Sequence, residues 1–180
     1  FAVADYDNDG DQDFYLTTLA ENLLFRNDPA PGGTGARVFT EVGRAAGVAD
    51  PPVWGASALF FDADRDGWLD LFASNYVKWS VETDLWCSLD GNTKGYCTPE
   101  AYPGEPGRFF RSNGDGTFTD RSEEAGFLPS PGKNLGVVDL DFNHDGWPDL
   151  IVSNDTEPTE LYVNEGDGTF TERAALSGMA

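Results

Sequence analysis

Basic residues, histidine, cysteine and methionine are all scarce in this chain. Only 11 Lys and Arg stand against 32 Asp and Glu, a net charge of −21 over 180 residues. Such an excess repels nucleic acid and anionic membrane surfaces, and no basic stripe offsets it, so neither is expected as a partner. No apolar run approaches the roughly 18 residues of a membrane-spanning helix, and no membrane insertion is expected. His144 is the one histidine. A nucleophile–His–acid set therefore has little to draw on, no catalytic residue is assigned, and the chain reads as a non-enzyme. Two cysteines, Cys87 and Cys97, flank CSLDGNTKGYC, with neither the CxxC spacing of a redox motif nor the number for a zinc site. They read as a disulfide rather than as two free thiols. Closing that loop restricts the unfolded chain by about 2.5–3 kcal/mol in the entropic account. It also implies an oxidising location: secreted, periplasmic or at the cell surface. The chain opens on Phe1 and not on Met, so it reads as an excerpt or a processed piece, and a missing signal peptide says nothing about export.

What the chain does have is a core and a repeat. With 39% hydrophobic residues, 13% of all residues being aromatic, it can bury a sizeable interior despite its charge. One acidic string is written three times: DYDNDGDQD at 5–13, DADRDGWLD at 62–70 and DFNHDGWPD at 141–149. Twelve of the 32 acids fall in these 27 residues. Oxygen-bearing side chains occupy positions 1, 3, 5 and 9, and Gly holds position 6. That is the composition a hard cation such as Ca²⁺ requires, with Gly permitting the sharp turn. Without a cation, four or five like charges in nine residues would repel strongly.

The repeat extends beyond the acidic string. A short apolar run precedes each loop (FAVA, ASALFF, LGVVDL) and another follows it (FYL, LFAS, LIVS). Such runs, bounded by turn residues, read as buried strands. A third strand follows as LLFRN, RFFRS and LYVN. Tight turns, NGDGTF and EGDGTF, then lead to a fourth. In the first copy that hairpin is lengthened by DPAPGGTGAR, a Pro/Gly-rich excursion in which no structure is expected. The fourth strands run on as FTEVGRAAG, FTDRSEEAG and FTERAALSG, with Gly47, Gly126 and Gly178 each eight residues after the Phe. Four antiparallel strands repeated at a period of tens of residues form the blade of a β-propeller. The chain is therefore expected to be all-β, with blades at 1–50, 51–130 and 131–180. An insertion at about 77–107 separates the second and third strands of the middle blade. It carries Trp79, Trp86, Lys94 and both cysteines, and fits either a binding loop or a cap over a neighbouring blade.

The loops, their flanking strands and the NGDGTF hairpin resemble FG-GAP repeats, also called VCBS-type repeats. GKNLGVVDLDFNHDGWPDLIVSND, YCTPEAYPGEPGRFFRSNGDGTFTD and the FTxxxxxxG exits resemble the propellers of the ASPIC/UnbV and cartilage-acidic-protein group. The resemblance covers essentially the whole chain. It implies a calcium-stabilised propeller of about seven blades on secreted, periplasmic or surface proteins, of which this chain supplies three, the remaining blades belonging to the parent chain.

EF-hands share the opening D-x-D-x-D-G but close on a bidentate Glu at position 12. Here position 12 is Leu16, Ala73 and Val152, so position 9 must close the cage. By analogy with such loops, Asp5, Asp7, Asp9 and Asp13; Asp62, Asp64, Asp66 and Asp70; and Asp141, Asn143, Asp145 and Asp149 supply side-chain ligands. Position 7 (Asp11, Trp68, Trp147) gives its carbonyl, which leaves the indoles to pack between blades. Up to three Ca²⁺ ions are expected, bound most weakly by the third loop, where Asn143 replaces an acid. Calcium reads as structural because each loop supplies all its own ligands. His144, between two ligand positions, reads as a surface residue. Lys133, Asn134 and Asp155 read as exposed polar turns at strand ends, where propellers bind partners. Asn75 and Asn154, equivalent in the repeat, read as caps on their turns. Arg26, Arg108 and Arg111 show no convergence. The functional reading is an extracellular module that binds a protein or a glycan. The alternative is a non-catalytic part or scaffold of a secreted carbohydrate-active enzyme, a lyase or hydrolase.

Overall fold

The computed structural model describes residues 1–33, 35–49, 51–128, 130 and 132–179. Thr34, inside the Pro/Gly-rich excursion, and Asp50 and Pro131, at the expected blade boundaries, lie outside the described residues. The strands are β1 (Ala2–Ala4), β2 (Asp13–Leu16), β3 (Leu23–Pro29), β4 (Arg37–Glu41), β5 (Gly55–Phe61), β6 (Asp70–Asn75), β7 (Arg108–Ser112), β8 (Phe118–Asp120), β9 (Asn134–Leu140), β10 (Asp149–Asn154), β11 (Glu160–Asn164) and β12 (Phe170–Glu172). They form three separate four-stranded antiparallel meanders, β1–β4, β5–β8 and β9–β12. The fold is all-β, three blades of a propeller that is not closed into a ring.

The acidic strings are the turns of the first hairpins. Ala4 pairs with Asp13, Phe61 with Asp70 and Leu140 with Asp149, so each loop occupies the same register and its ninth residue opens the second strand. The third hairpins repeat as faithfully, with Asn27 opposite Phe39, Ser112 opposite Phe118 and Asn164 opposite Phe170. The excursion is shorter than expected. Asp28 and Pro29 still pair with Val38 and Arg37, because a residue at the exposed end of a strand tolerates proline's missing N–H.

The two larger core clusters lie between blades, and a smaller one, Leu161, Val163 and Ala174, lies within the third. Tyr6, Tyr15 and Leu24 of the first blade close on Ala58, Leu71, Phe110 and Phe118 of the second. Between the second and third blades Phe61, Phe109 and Phe127 meet Leu150, Tyr162 and Phe170. The Phe127 ring lies 4.8 Å from Phe170 and 4.7 Å from Tyr162, in tilted arrangements that favour aromatic quadrupoles. The blade exits fix this packing. Two are single helical turns, α1 (Gly43–Ala46) and α2 (Ala174–Ser177), and all three end on a glycine at positive φ: Gly47 at 82°, Gly126 at 90° and Gly178 at 74°. A Cβ on Gly47 would lie 2.8 Å from the Phe118 carbonyl oxygen of the next blade, and one on Gly126 would lie 2.5 Å from that of Phe170. The recurrent glycine is thus a point of backbone contact between neighbours as well as a cap.

The insertion is irregular apart from a 3-10 turn at Pro99–Ala101 and two bridges, Val77 to Gly104 and Cys87 to Gly95. The expected disulfide joins Cys87 to Cys97, with their Cα atoms 5.2 Å apart.

Candidate metal centre

Each acidic loop is wound by its own side chains. The first Asp receives the amides of the fifth and sixth residues: Asp5 from Asp9 and Gly10 at 3.0 and 2.9 Å, Asp62 from Asp66 and Gly67 at 3.1 and 3.0 Å, Asp141 from Asp145 and Gly146 at 3.0 Å each. The fifth carboxylate accepts the position-7 amide, from Asp11, Trp68 and Trp147 at 2.8–2.9 Å. Gly10, Gly67 and Gly146 take φ of 93°, 89° and 87°, as the turn requires. Position 4 is also left-handed, with Asn8 at 57° and Arg65 and His144 at 60° each. That second strained position was not read from the sequence, since Asn8 and His144 are of types enriched there but Arg65 is not.

The ninth residue is the best buried. Asp13, Asp70 and Asp149 are 0%, 2% and 0% exposed. One oxygen of each accepts the amide of the loop's second residue: Asp13 from Tyr6 at 3.3 Å, Asp70 from Ala63 at 3.0 Å, Asp149 from Phe142 at 2.8 Å. The other accepts an amide from the end of the third strand, from Asn27, Ser112 and Asn164, each at 2.8 Å. This carboxylate therefore staples loop, second strand and third strand together. Burial pushes the Asp13 carboxyl up to about 6 and that of Asp70 up to about 7, against the pull of those same amides.

Two clusters of acids come together, Asp5 with Asp7 and Asp13, and Asp62 with Asp64 and Asp66, each offering oxygens within 4.8 Å of one another. Asp7 Oδ1 is buried and accepts no hydrogen bond, and desolvation raises its carboxyl above the usual range. An all-oxygen donor set, with an orphaned carboxylate oxygen among like charges, fits a calcium ion. Asp5, Asp7 and Asp13 would hold it in the first loop, and Asp62, Asp64 and Asp66 in the second. Asp141, Asn143 and Asp145 are exposed and form no such cluster among the described residues.

Arginines missed in the sequence enter here. Arg111 pairs with Asp64 and lies 3.9 Å from Asp66, and Arg37 pairs with Asp11. Arg26, in the β3 register equivalent to Arg111, pairs with Asp28 at 2.8 Å and lies in the field of Asp7. Arg26 and Arg111 line matching clefts between blades, of about 430 and 210 Å³. Arg108 turns the other way, to Asp120 at 3.3 Å. The signal was present in strand register alone.

The loops also touch one another. Asn8 donates to the Gly67 carbonyl of the next loop at 3.1 Å, and the Arg65 guanidinium lies 5.3 Å from the Trp147 ring centroid. The indoles rest on their own blades' hairpins. Cβ atoms at Gly114 and Gly166 would come within 3.3 Å of Trp68 and 2.9 Å of Trp147. Each indole also meets a neighbouring blade, Trp68 in the cleft with Tyr6 and Arg26 and Trp147 under Arg65, and the small GDG turn leaves room for both contacts. His144 is exposed, as expected.

The strand-end candidates differ from expectation. Lys133 and Asn134 are 5% and 2% exposed, not surface turns. The Lys133 ammonium lies 3.3 Å from both Glu157 Oε1 and Thr156 Oγ1, and Asp155 accepts the Tyr76 hydroxyl. A buried ammonium needs such a carboxylate, and that neighbour is 24 residues away in sequence. Asn75 and Asn154 tie the connections that follow their strands, donating to the Pro106 and Pro158 carbonyls at 2.9 and 2.7 Å.

The FG-GAP-like repeat family model matches residues 4–73, 90–152 and 141–179. Human cartilage acidic protein 1 is 38% identical over 58 residues, which are 32% of this chain and 9% of that protein. The matched segment thus spans about a tenth of that relative's length. With three meanders in one register, three acidic hairpin turns and a family match that runs through all three blades, the chain belongs to the FG-GAP-like repeat family.

Proposed function

We propose that this chain is a calcium-stabilised, non-enzymatic propeller module of a secreted, periplasmic or surface protein, and that it serves to bind a protein or a glycan. The observation that carries the calcium reading is the Asp5–Asp7–Asp13 cluster, with its buried carboxylate oxygen that no hydrogen bond satisfies. The disulfide and the family support an oxidising, extracytoplasmic setting. Calcium here is structural: it neutralises acids that strand pairing forces together, in loops that already hold their shape through backbone bonds. The third loop binds most weakly, because it has one acid fewer and lies open to solvent.

With calcium at about 1 mM and a dissociation constant of about 10 μM, each occupied loop stabilises the fold by about 2.7 kcal/mol. For a chain of this length that is roughly 5–10 °C per site. Calorimetric melts in excess chelator and in calcium should therefore differ by at least one such step, and calcium should restore what chelation removes. Superimposable melts refute the calcium reading.

A further inference from the structure

A cleft of about 570 Å³ opens where the insertion meets the edge of the first two blades, within the roughly 300–1,000 Å³ range of small-ligand sites. Trp54, Trp79, Tyr96 and Tyr102 line it, together with Asp84 and Lys94. The Trp54 and Trp79 rings meet edge to face at 5.6 Å, so one buttresses the other. Asp84 organises the polar end. Its Oδ1 accepts the Trp79 indole N–H at 3.0 Å and the Tyr102 hydroxyl at 3.1 Å, and its Oδ2 receives the Lys94 ammonium. The ammonium beside it, and then the indole N–H, pull this carboxyl down to about 2. The disulfide holds Lys94 and Tyr96 in place, since both lie within the loop that Cys87 and Cys97 close.

We infer that this cleft binds a neutral oligosaccharide, stacking a pyranose ring on its aromatic wall and bonding the ring's hydroxyls to Asp84 and Lys94. The inference rests on the binding-module reading and narrows its ligand. Charge selects the class. The one acid and the one base of the cleft are paired, so an incoming cation meets Lys94 and an incoming anion meets Asp84 and the surrounding acidic surface. A neutral ligand with one apolar face and one hydroxyl-rich edge suffers neither. Its axial C–H groups face the electron-rich ring faces. Its hydroxyls meet the remaining lone pair on Asp84 Oδ2 and unused protons on Lys94, which has three to give.

Isothermal titration of the 180-residue chain with cellohexaose, xylohexaose, mannohexaose and chitohexaose, followed also by tryptophan fluorescence, tests this. A hexalysine peptide and a heparin hexasaccharide are the charged comparisons. At least one neutral hexasaccharide is expected to bind and both charged probes to fail. Trp79→Ala should weaken binding roughly tenfold. Tyr96→Ala should weaken it roughly threefold to tenfold, and because Tyr96 is fully exposed that loss cannot be ascribed to misfolding. Trp86→Ala, outside the cleft, should leave binding unchanged. Silence from all four neutral sugars up to about 5 mM overturns the assignment. Binding of hexalysine or heparin that Tyr96→Ala abolishes also overturns it, yet leaves the module reading standing. Loss of the calcium-dependent melt does not bear on it.

Discussion

The acidic string names both Asp70 and Asp66 as calcium ligands of the second loop, but only Asp66 joins its acid cluster, and the structure gives the two different work when no ion is bound. The Asp70 carboxylate accepts the buried amides of Ala63 and Ser112, at 3.0 and 2.8 Å. Asp70→Ala leaves both without an acceptor, at about 1–3 kcal/mol each. The same substitution relieves the burial of a charge, the cause of that carboxyl's raised pKa, which places the net cost near the lower half of the sum, about 2–4 kcal/mol. Asp66 is exposed and accepts the exposed Trp68 amide, so Asp66→Ala costs no more than about 0.5 kcal/mol in the ion-free state. In excess chelator, Asp70→Ala should lower the melting temperature by roughly 5–15 °C and Asp66→Ala by at most about 2 °C. In calcium Asp66→Ala loses the contribution of that loop as well. Differential scanning calorimetry of the three proteins, with and without calcium, separates stapling from ligation. If the two variants melt together in chelator, the staple described for Asp13, Asp70 and Asp149 does not operate.

Two further outcomes follow from the geometry. Gly126→Ala adds a Cβ 2.5 Å from the Phe170 carbonyl at a φ of 90°, whereas Gly168→Ala at 88° meets nothing within 4 Å. Urea unfolding should show a loss of about 2–4 kcal/mol for the first and about 1 kcal/mol for the second, the difference being the contact between blades; equal losses would deny that contact. The second outcome concerns pH. The ion-free fold holds protons on Asp13 and Asp70 up to about 6 and about 7, above the ordinary carboxylate range. Between that range and those values the folded chain binds more protons than the unfolded one, so its stability falls as pH rises. Calcium must displace those protons, so the calcium-induced rise in melting temperature should grow from pH 5 to pH 8. A rise independent of pH would show that neither carboxyl is a ligand.

Short apolar runs and the acidic strings made the blades legible, because such runs repeated on either side of D-x-[DN]-x-D-G leave few other folds. Apolar position 12 pointed to Asp13, Asp70 and Asp149 as closing acids, and of these the structure brings Asp13 into an acid cluster. Their stapling was not legible, since the amides they accept from β3, β7 and β11 are 14, 42 and 15 residues away. The approach of Arg111 to Asp64 was hidden for the same reason, across 47 residues. Lys133 misled because a lone lysine in a polar stretch reads as exposed, and only the fold brings Glu157 and Thr156 to it. The aromatic cleft needed Trp54, from just before β5, beside Trp79 and Tyr102 of the insertion. Separation in sequence, not weak chemistry, concealed each of these.

The contact of the first two exit glycines with the next blade's fourth strand has a consequence for synthesis. Gly47 waits for Phe118, and Gly126 for Phe170, so a blade emerging from the ribosome has no completed interior until its successor has been made. Translation at about 5–20 residues per second leaves each aromatic face bare for several seconds. The acidic hairpins emerge first in every blade. The part of the blade that is made earliest thus carries concentrated like charge, which favours solubility while its aromatic face awaits the neighbour that covers it.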